Sequence, residues 1–215
     1  MEHNIESQAN MTGALVLGTT IDVGGVKMKS IYKITNYRRK VGCECNGCNS
    51  YQMNLAGLIP SEEVKPCEFQ EIAWTEEVPN IVTTGGKNDL LTQYFKGSSY
   101  TAAWYVGLIA NGSFSAYAAG DTMASHTGWA ESTVYSNSTR VAWSGGTASA
   151  GSIDNSGAQA AFNINGSDTV RGAFLTTGSA KSGTTGILYG EADFSQARAV
   201  LSGDTLNVTV TLTAS

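Results

Sequence analysis

Thr205-Leu-Asn-Val-Thr-Val-Thr-Leu-Thr213 alternates without a break. Leu206, Val208, Val210 and Leu212 fall on one face and Asn207, Thr209, Thr211 and Thr213 on the other, the period of a strand packed on one side only. The polar face carries hydroxyls and an amide rather than charge, and such a surface can be covered by a neighbouring molecule at small desolvation cost. Around this strand, the 118 residues from Ser98 to Ser215 hold only eleven charged side chains, so the segment reads as an antiparallel β-sandwich suited to packing against others.

Further strands are predicted at Tyr100 to Ile109, Ser138 to Trp143, Gln159 to Ile164, Thr169 to Thr176, Gly186 to Tyr189 and Ala197 to Leu201, separated by Gly, Ser and Asn clusters. Asn88 to Lys96 reads as a helix, capped by Asn88 or Asp89 and stopped by Gly97. Leu90, Leu91, Tyr94 and Phe95 share one of its faces, which is expected to plug an end of the sandwich. A second short helix is expected between Gly120 and Ala130, capped by Asp121. The fold class is therefore all-β with one principal helix. The chain divides into an extended arm (1–28), a small β-rich subdomain (29–84), a helix and linker (85–97) and the sandwich (98–215). Ser30 to Tyr37 and Glu68 to Thr84 supply the subdomain's strands, with Pro79 confining the second to an edge or a bend.

Bulk properties narrow the functional classes. The 215 residues are 41% hydrophobic and carry a net charge of −5. No apolar run approaches the roughly 20 residues of a membrane helix, so no membrane partner is expected. Arg38-Arg39-Lys40 is the only local cluster of cations and reads as a solvated loop or strand end. Nucleic acid is not expected as a partner, since phosphate affinity rests on clustered cations. The N-terminus lacks the basic flank and apolar stretch of a secretory signal.

Catalytic signatures are missing. Gly86-Lys87 has Ile81 where a phosphate-binding loop needs glycine, and Asn88 follows the lysine. His126, near Asp121 and Ser125, reads as structural. Glu62-Glu63 and Glu76-Glu77 are adjacent pairs that a strand would point to opposite faces, and they read as solvated charge. Trp104 and Trp143 sit in strand patterns where inward packing is expected, rather than on a sugar-stacking face. The chain is read as a non-enzyme with no cofactor.

All four cysteines lie close together: Cys43, Cys45 and Cys48, with Cys67 nineteen residues on. Two readings stay open. Cys45-Asn-Gly-Cys48 could form a metal knuckle that Cys43 and Cys67 complete as a structural zinc site. The thiols could instead form disulfides, within the subdomain and between subunits. A second C-x-x-C is missing, which favours disulfides over zinc.

Several motifs occur in an order that resembles a family of tailed-bacteriophage virion proteins. They are Val82-Thr-Thr-Gly-Gly-Lys-Asn-Asp-Leu-Leu91, Ala102-Ala-Trp-Tyr-Val-Gly-Leu108, Ala118-Ala-Gly-Asp-Thr-Met-Ala-Ser-His126 and Trp129-Ala-Glu131. Tyr135 to Arg140, Arg171 to Leu175, Gly183 to Gly186, Leu188-Tyr189 and Val200 to Val210 extend the similarity, which covers residues 74–215. The resemblance implies a β-sandwich serving as a structural part of the particle, in capsid decoration, neck or collar, or fibre attachment. It implies location in the virion, with copies of itself and other virion proteins as partners. The cysteine region departs from the plain hairpin of that family, so its role is not implied by it. The alternative is a receptor- or glycan-binding module at a fibre tip, with specificity in the loops Asn111 to Ala118 and Ser144 to Ser156.

Overall fold

The computed structural model describes residues 28–39, 70–96 and 103–214. Residues 1–27 of the expected arm (1–28) and Cys43, Cys45, Cys48 and Cys67 lie outside the described residues. The elements are β1 (Met28–Arg39), β2 (Gln70–Val82), α1 (Thr84–Lys96), β3 (Trp104–Ala110), β4 (Ala130–Ser132), β5 (Val141–Trp143), β6 (Ser152–Asp154), β7 (Ala160–Asn163), β8 (Asp168–Thr176), β9 (Leu188–Val200) and β10 (Thr205–Ala214). One turn of 3-10 helix, Ser156–Ala158, precedes β7.

All pairings are antiparallel, and the strands form one curled sheet in the order β4-β3-β8-β9-β2-β1-β10-β6. β5 adds to β3 and β7 to β10. The sheet curls enough to bring segments from its two halves together. Tyr135, beyond β4, bridges Ile164, beyond β7, and the Trp143 indole on β5 donates to the Val210 carbonyl on β10 at 3.1 Å.

β1 and β2 do not form a sheet of their own. β1 pairs β10 from Met28↔Ala214 to Tyr37↔Thr205 and pairs β2 on its other side, so the strands drawn from 29–84 share a sheet and a core with those after residue 98. β2 hydrogen-bonds β1 up to Pro79 and then β9 from Asn80 to Val82. Pro79 thus sits in an interior strand rather than at an edge, at the residue where the partner changes and a missing N–H does least harm to the ladder.

The inward face of β10 follows the alternation: Leu206, Val208 and Val210 are fully buried. They meet Tyr32 and Ile34 of β1, Phe162 of β7, Val106 and Leu108 of β3, and Leu175 of β8 in the main core. The β3-β8-β9 part of the sheet is buried on its outer face as well. There the loop of residues 111–129 folds over Ile109, Phe174 and Leu188 and adds Met123 and Trp129 as a second core. Burial on both faces explains why Ala173, Phe174 and Leu175 are consecutive apolar residues rather than an alternating set.

Three local expectations are corrected. Residues 120–130 form turns with an isolated bridge, Thr122↔Ser125, rather than a helix; the Asp121 carboxylate accepts from the Ala118 N–H and closes a loop. The pieces at 186–189 and 197–201 are joined in one strand, β9, because β8 and β2 supply pairing partners for the polar stretch between them. The helix begins at Thr84 instead of Asn88. Its cap is Thr83, whose Oγ1 accepts the Gly86 N–H at 3.0 Å and donates to the Leu188 carbonyl.

Candidate functional site

α1 is fastened at its start. The Thr83 N–H donates to the Tyr189 carbonyl at 2.9 Å, and the Thr84 N–H donates to the Ala119 carbonyl at 2.8 Å. Gly86 lies against β9 so closely that an added Cβ would stand 2.7 Å from the Tyr189 carbonyl oxygen, and it is the only buried residue of the helix. The first turn is thus bolted to the sheet by backbone contacts that only glycine permits.

Beyond that turn most of the apolar face looks outward: Leu91 is 54% exposed, Tyr94 78% and Phe95 75%, while Leu90, 38% exposed, borders the space under the helix. The four residues do share a face, but that face does not plug the sheet; plugging would bury it. The two rings touch edge to face, with centroids 5.0 Å apart, and form one protruding block.

Between α1 and one end of the sheet, among the described residues, lies a cavity of about 370 Å³ whose walls are almost wholly apolar. Met28, Leu90, Trp104, Ile153, Leu175 and Leu212 line it, with Asp89 and Gln93 on its helical side. Met28 is the first residue of β1, so the start of that strand, the helix and the cavity share one end of the molecule.

The polar side chains elsewhere act as braces. Arg140, 1% exposed at its side chain, donates to Glu131 through Nε and Nη2 at 3.0 and 2.8 Å and to the carbonyls of Gly178 and Gly183. The same Glu131 accepts the Ser182 N–H and so ties the 177–187 loop to β4. Asp204 accepts from Asn36, Arg38 and the Leu201 N–H in the tight connection between β9 and β10, where Gly203 has φ +92°. Burial alone would raise the Asp204 pKa, but the bonds from Arg38 and Asn36 hold it below the usual carboxylate range. Arg38 is thus half of an ion pair at a strand end rather than a solvated charge.

Glu76 likewise departs from the solvated reading. Its side chain is 8% exposed, pairs with Arg198 and accepts the Ser195 N–H, and these contacts overcome burial to lower its pKa. Glu77 is exposed and pairs with Lys33. His126 stacks on Trp129 at 3.9 Å, with Nδ1 3.1 Å from the Trp129 carbonyl. Trp104 and Trp143 pack on the main core, partly buried.

Glu191 is a buried carboxyl group with no ion pair among the described residues. It is 1% exposed beneath the 111–129 loop; its Oε1 accepts the Trp129 indole N–H at 2.8 Å, and its carboxyl group lies beside that of Asp121. Burial first, and the negative charge of Asp121 second, push its pKa up to about 8. The bond from Trp129 joins β9 to the 111–129 loop at this acid. Nothing in the sequence marks Glu191, because its burial depends on a loop seventy residues earlier in the chain.

Among the described residues no three His, Cys, Asp or Glu side chains are grouped to hold a metal, and no helix is long and apolar enough to cross a membrane. No family model and no curated protein matches the chain.

Proposed function

We propose that this chain is a structural subunit of a tailed-phage particle, in capsid decoration, neck or collar, or fibre attachment, and that it works by packing against other subunits without catalysing a reaction. The observation that carries this reading is the outward apolar face of α1 above an apolar cavity. A helix whose first turn is clamped and whose aromatic residues stand in water is poorly explained as part of a monomer's own core. The hydroxyl-rich outer faces and the sparse charge of residues 98–215 fit the same reading. The arm and the four cysteines would serve as attachment and locking elements, with disulfides preferred over a structural zinc. The loop aromatics do not favour a receptor-binding role: Phe114 and Tyr117 turn inward onto the second core, and the Arg171 guanidinium covers Phe114 at 4.7 Å.

The test is incorporation. Particles assembled with a Leu91→Ser/Tyr94→Ser/Phe95→Ser variant should contain at least tenfold less of the protein than wild-type particles, while the isolated variant keeps its circular dichroism. Normal incorporation of the variant would remove the proposal.

A further inference from the structure

We infer that the cavity under α1 is the receptor for Tyr94 and Phe95 of a second copy of this chain, so that two copies dock reciprocally about a two-fold axis. This rests on reading α1 as a subunit interface, and it names the partner and the mode of contact. Knob and hole belong to the same helix. Leu90 and Asp89 line the hole, while the rings of Tyr94 and Phe95 stand 78% and 75% exposed one turn later. A surface that carries both halves of a contact is self-complementary, and pairing it with itself closes a dimer instead of growing a filament.

The sizes agree. A cavity of ~150 Å³ lined by aliphatic groups stays dry and admits a benzene ring. The 370 Å³ here therefore accommodates both rings of the block, and the apolar walls of Trp104, Leu175 and Leu212 match their surface. Each enclosed aromatic side chain removes ~150–250 Å² from water. Two pairs of rings, with Leu91 beside each pair and the walls they cover, remove on the order of 1,000 Å² over both copies, where specific interfaces begin. Charge agrees as well. Lys96 follows the knob and Asp89 stands at the hole, so reciprocal docking brings a cation of each copy toward a carboxylate of the other.

Sedimentation equilibrium of the full chain in reductant, which removes any contribution from disulfides, tests the contact with two variants. Tyr94→Ser/Phe95→Ser lacks the knob. Ala148→Trp covers the hole from an exposed rim position and leaves α1 untouched. The wild type should dimerise, and each variant should do so at least tenfold more weakly. An equimolar mixture of the two should associate more tightly than either alone, since the knob of one still meets the open hole of the other. A wild type that stays monomeric, a variant that dimerises like the wild type, or a mixture no tighter than its components overturns the inference. Any of these results would leave the particle-incorporation test to decide the broader reading by itself.

Discussion

At the scale of single residues the chain is organised by a few buried ionisable groups, and their signs make its stability depend on pH. Glu191 titrates at 4.5 in an unfolded chain and at about 8 in the fold. Between those values the folded state holds a proton that the unfolded chain has released. Stability from this group is therefore complete below about pH 4.5 and is lost as the pH rises through 8. Asp204 and Glu76 act in the opposite sense: their lowered pKa values add stability above the unfolded carboxylate range that disappears on acidification. Melting temperatures between pH 5 and 9 should fall for the wild type and stay nearly level for Glu191→Gln, which keeps an acceptor for Trp129; parallel slopes would contradict the assignment. Arg140 makes a second case. Arg140→Met strands Glu131 without its cation in a nearly dry site and should lose roughly 3–5 kcal/mol in urea unfolding. Arg140→Met/Glu131→Leu should recover much of that loss. None of these roles is visible in sequence, because each depends on contacts between distant segments: Glu191 with Asp121 and Trp129, Asp204 with Arg38, Arg140 with Gly178 and Gly183.

At the scale of elements, legibility follows how local the determining force is. β10 is legible because its alternation is set by a sheet with one buried face, and Leu206, Val208 and Val210 lie where the pattern puts them. The body of α1 is legible too, since Asn88 to Lys96 are helical as their periodicity has it. Its start is not, because Thr83 becomes a cap only when β9 offers the Leu188 and Tyr189 carbonyls to fix it. Periodicity finds an apolar face but says nothing of what covers it, which is why the outward exposure of Leu91, Tyr94 and Phe95 comes from the structure alone. Thr83→Ala should lose about 1 kcal/mol by removing the cap, and hydrogen exchange should accelerate in the first turn of α1 before it does in β10. Gly107 gives a second element-scale prediction. An added Cβ would lie 2.2 Å from the Phe174 ring, which covers the glycine on β3. Gly107→Ala should therefore lose about 1–3 kcal/mol as the ring is displaced into the second core.

At the scale of the whole molecule one curled antiparallel sheet joins residues that the sequence assigns to separate units. β1 lies between β2 and β10, so the chain segment before the cysteines and the last strand hold each other in place. Among the described residues a cavity remains at the end of the sheet beside Met28 and Leu212, and α1 stands over it with its rings outward. The central claim is that this end is where subunits meet. Hydrogen exchange read by mass spectrometry, comparing the dilute chain with the associated chain at high concentration in reductant, tests it most directly. The account predicts that amides in the last two turns of α1 and in the 148–153 rim become protected on association while those of β4 and the 111–129 loop do not change. A chain that never associates, or one that associates with α1 exchanging at its dilute rate, would contradict it.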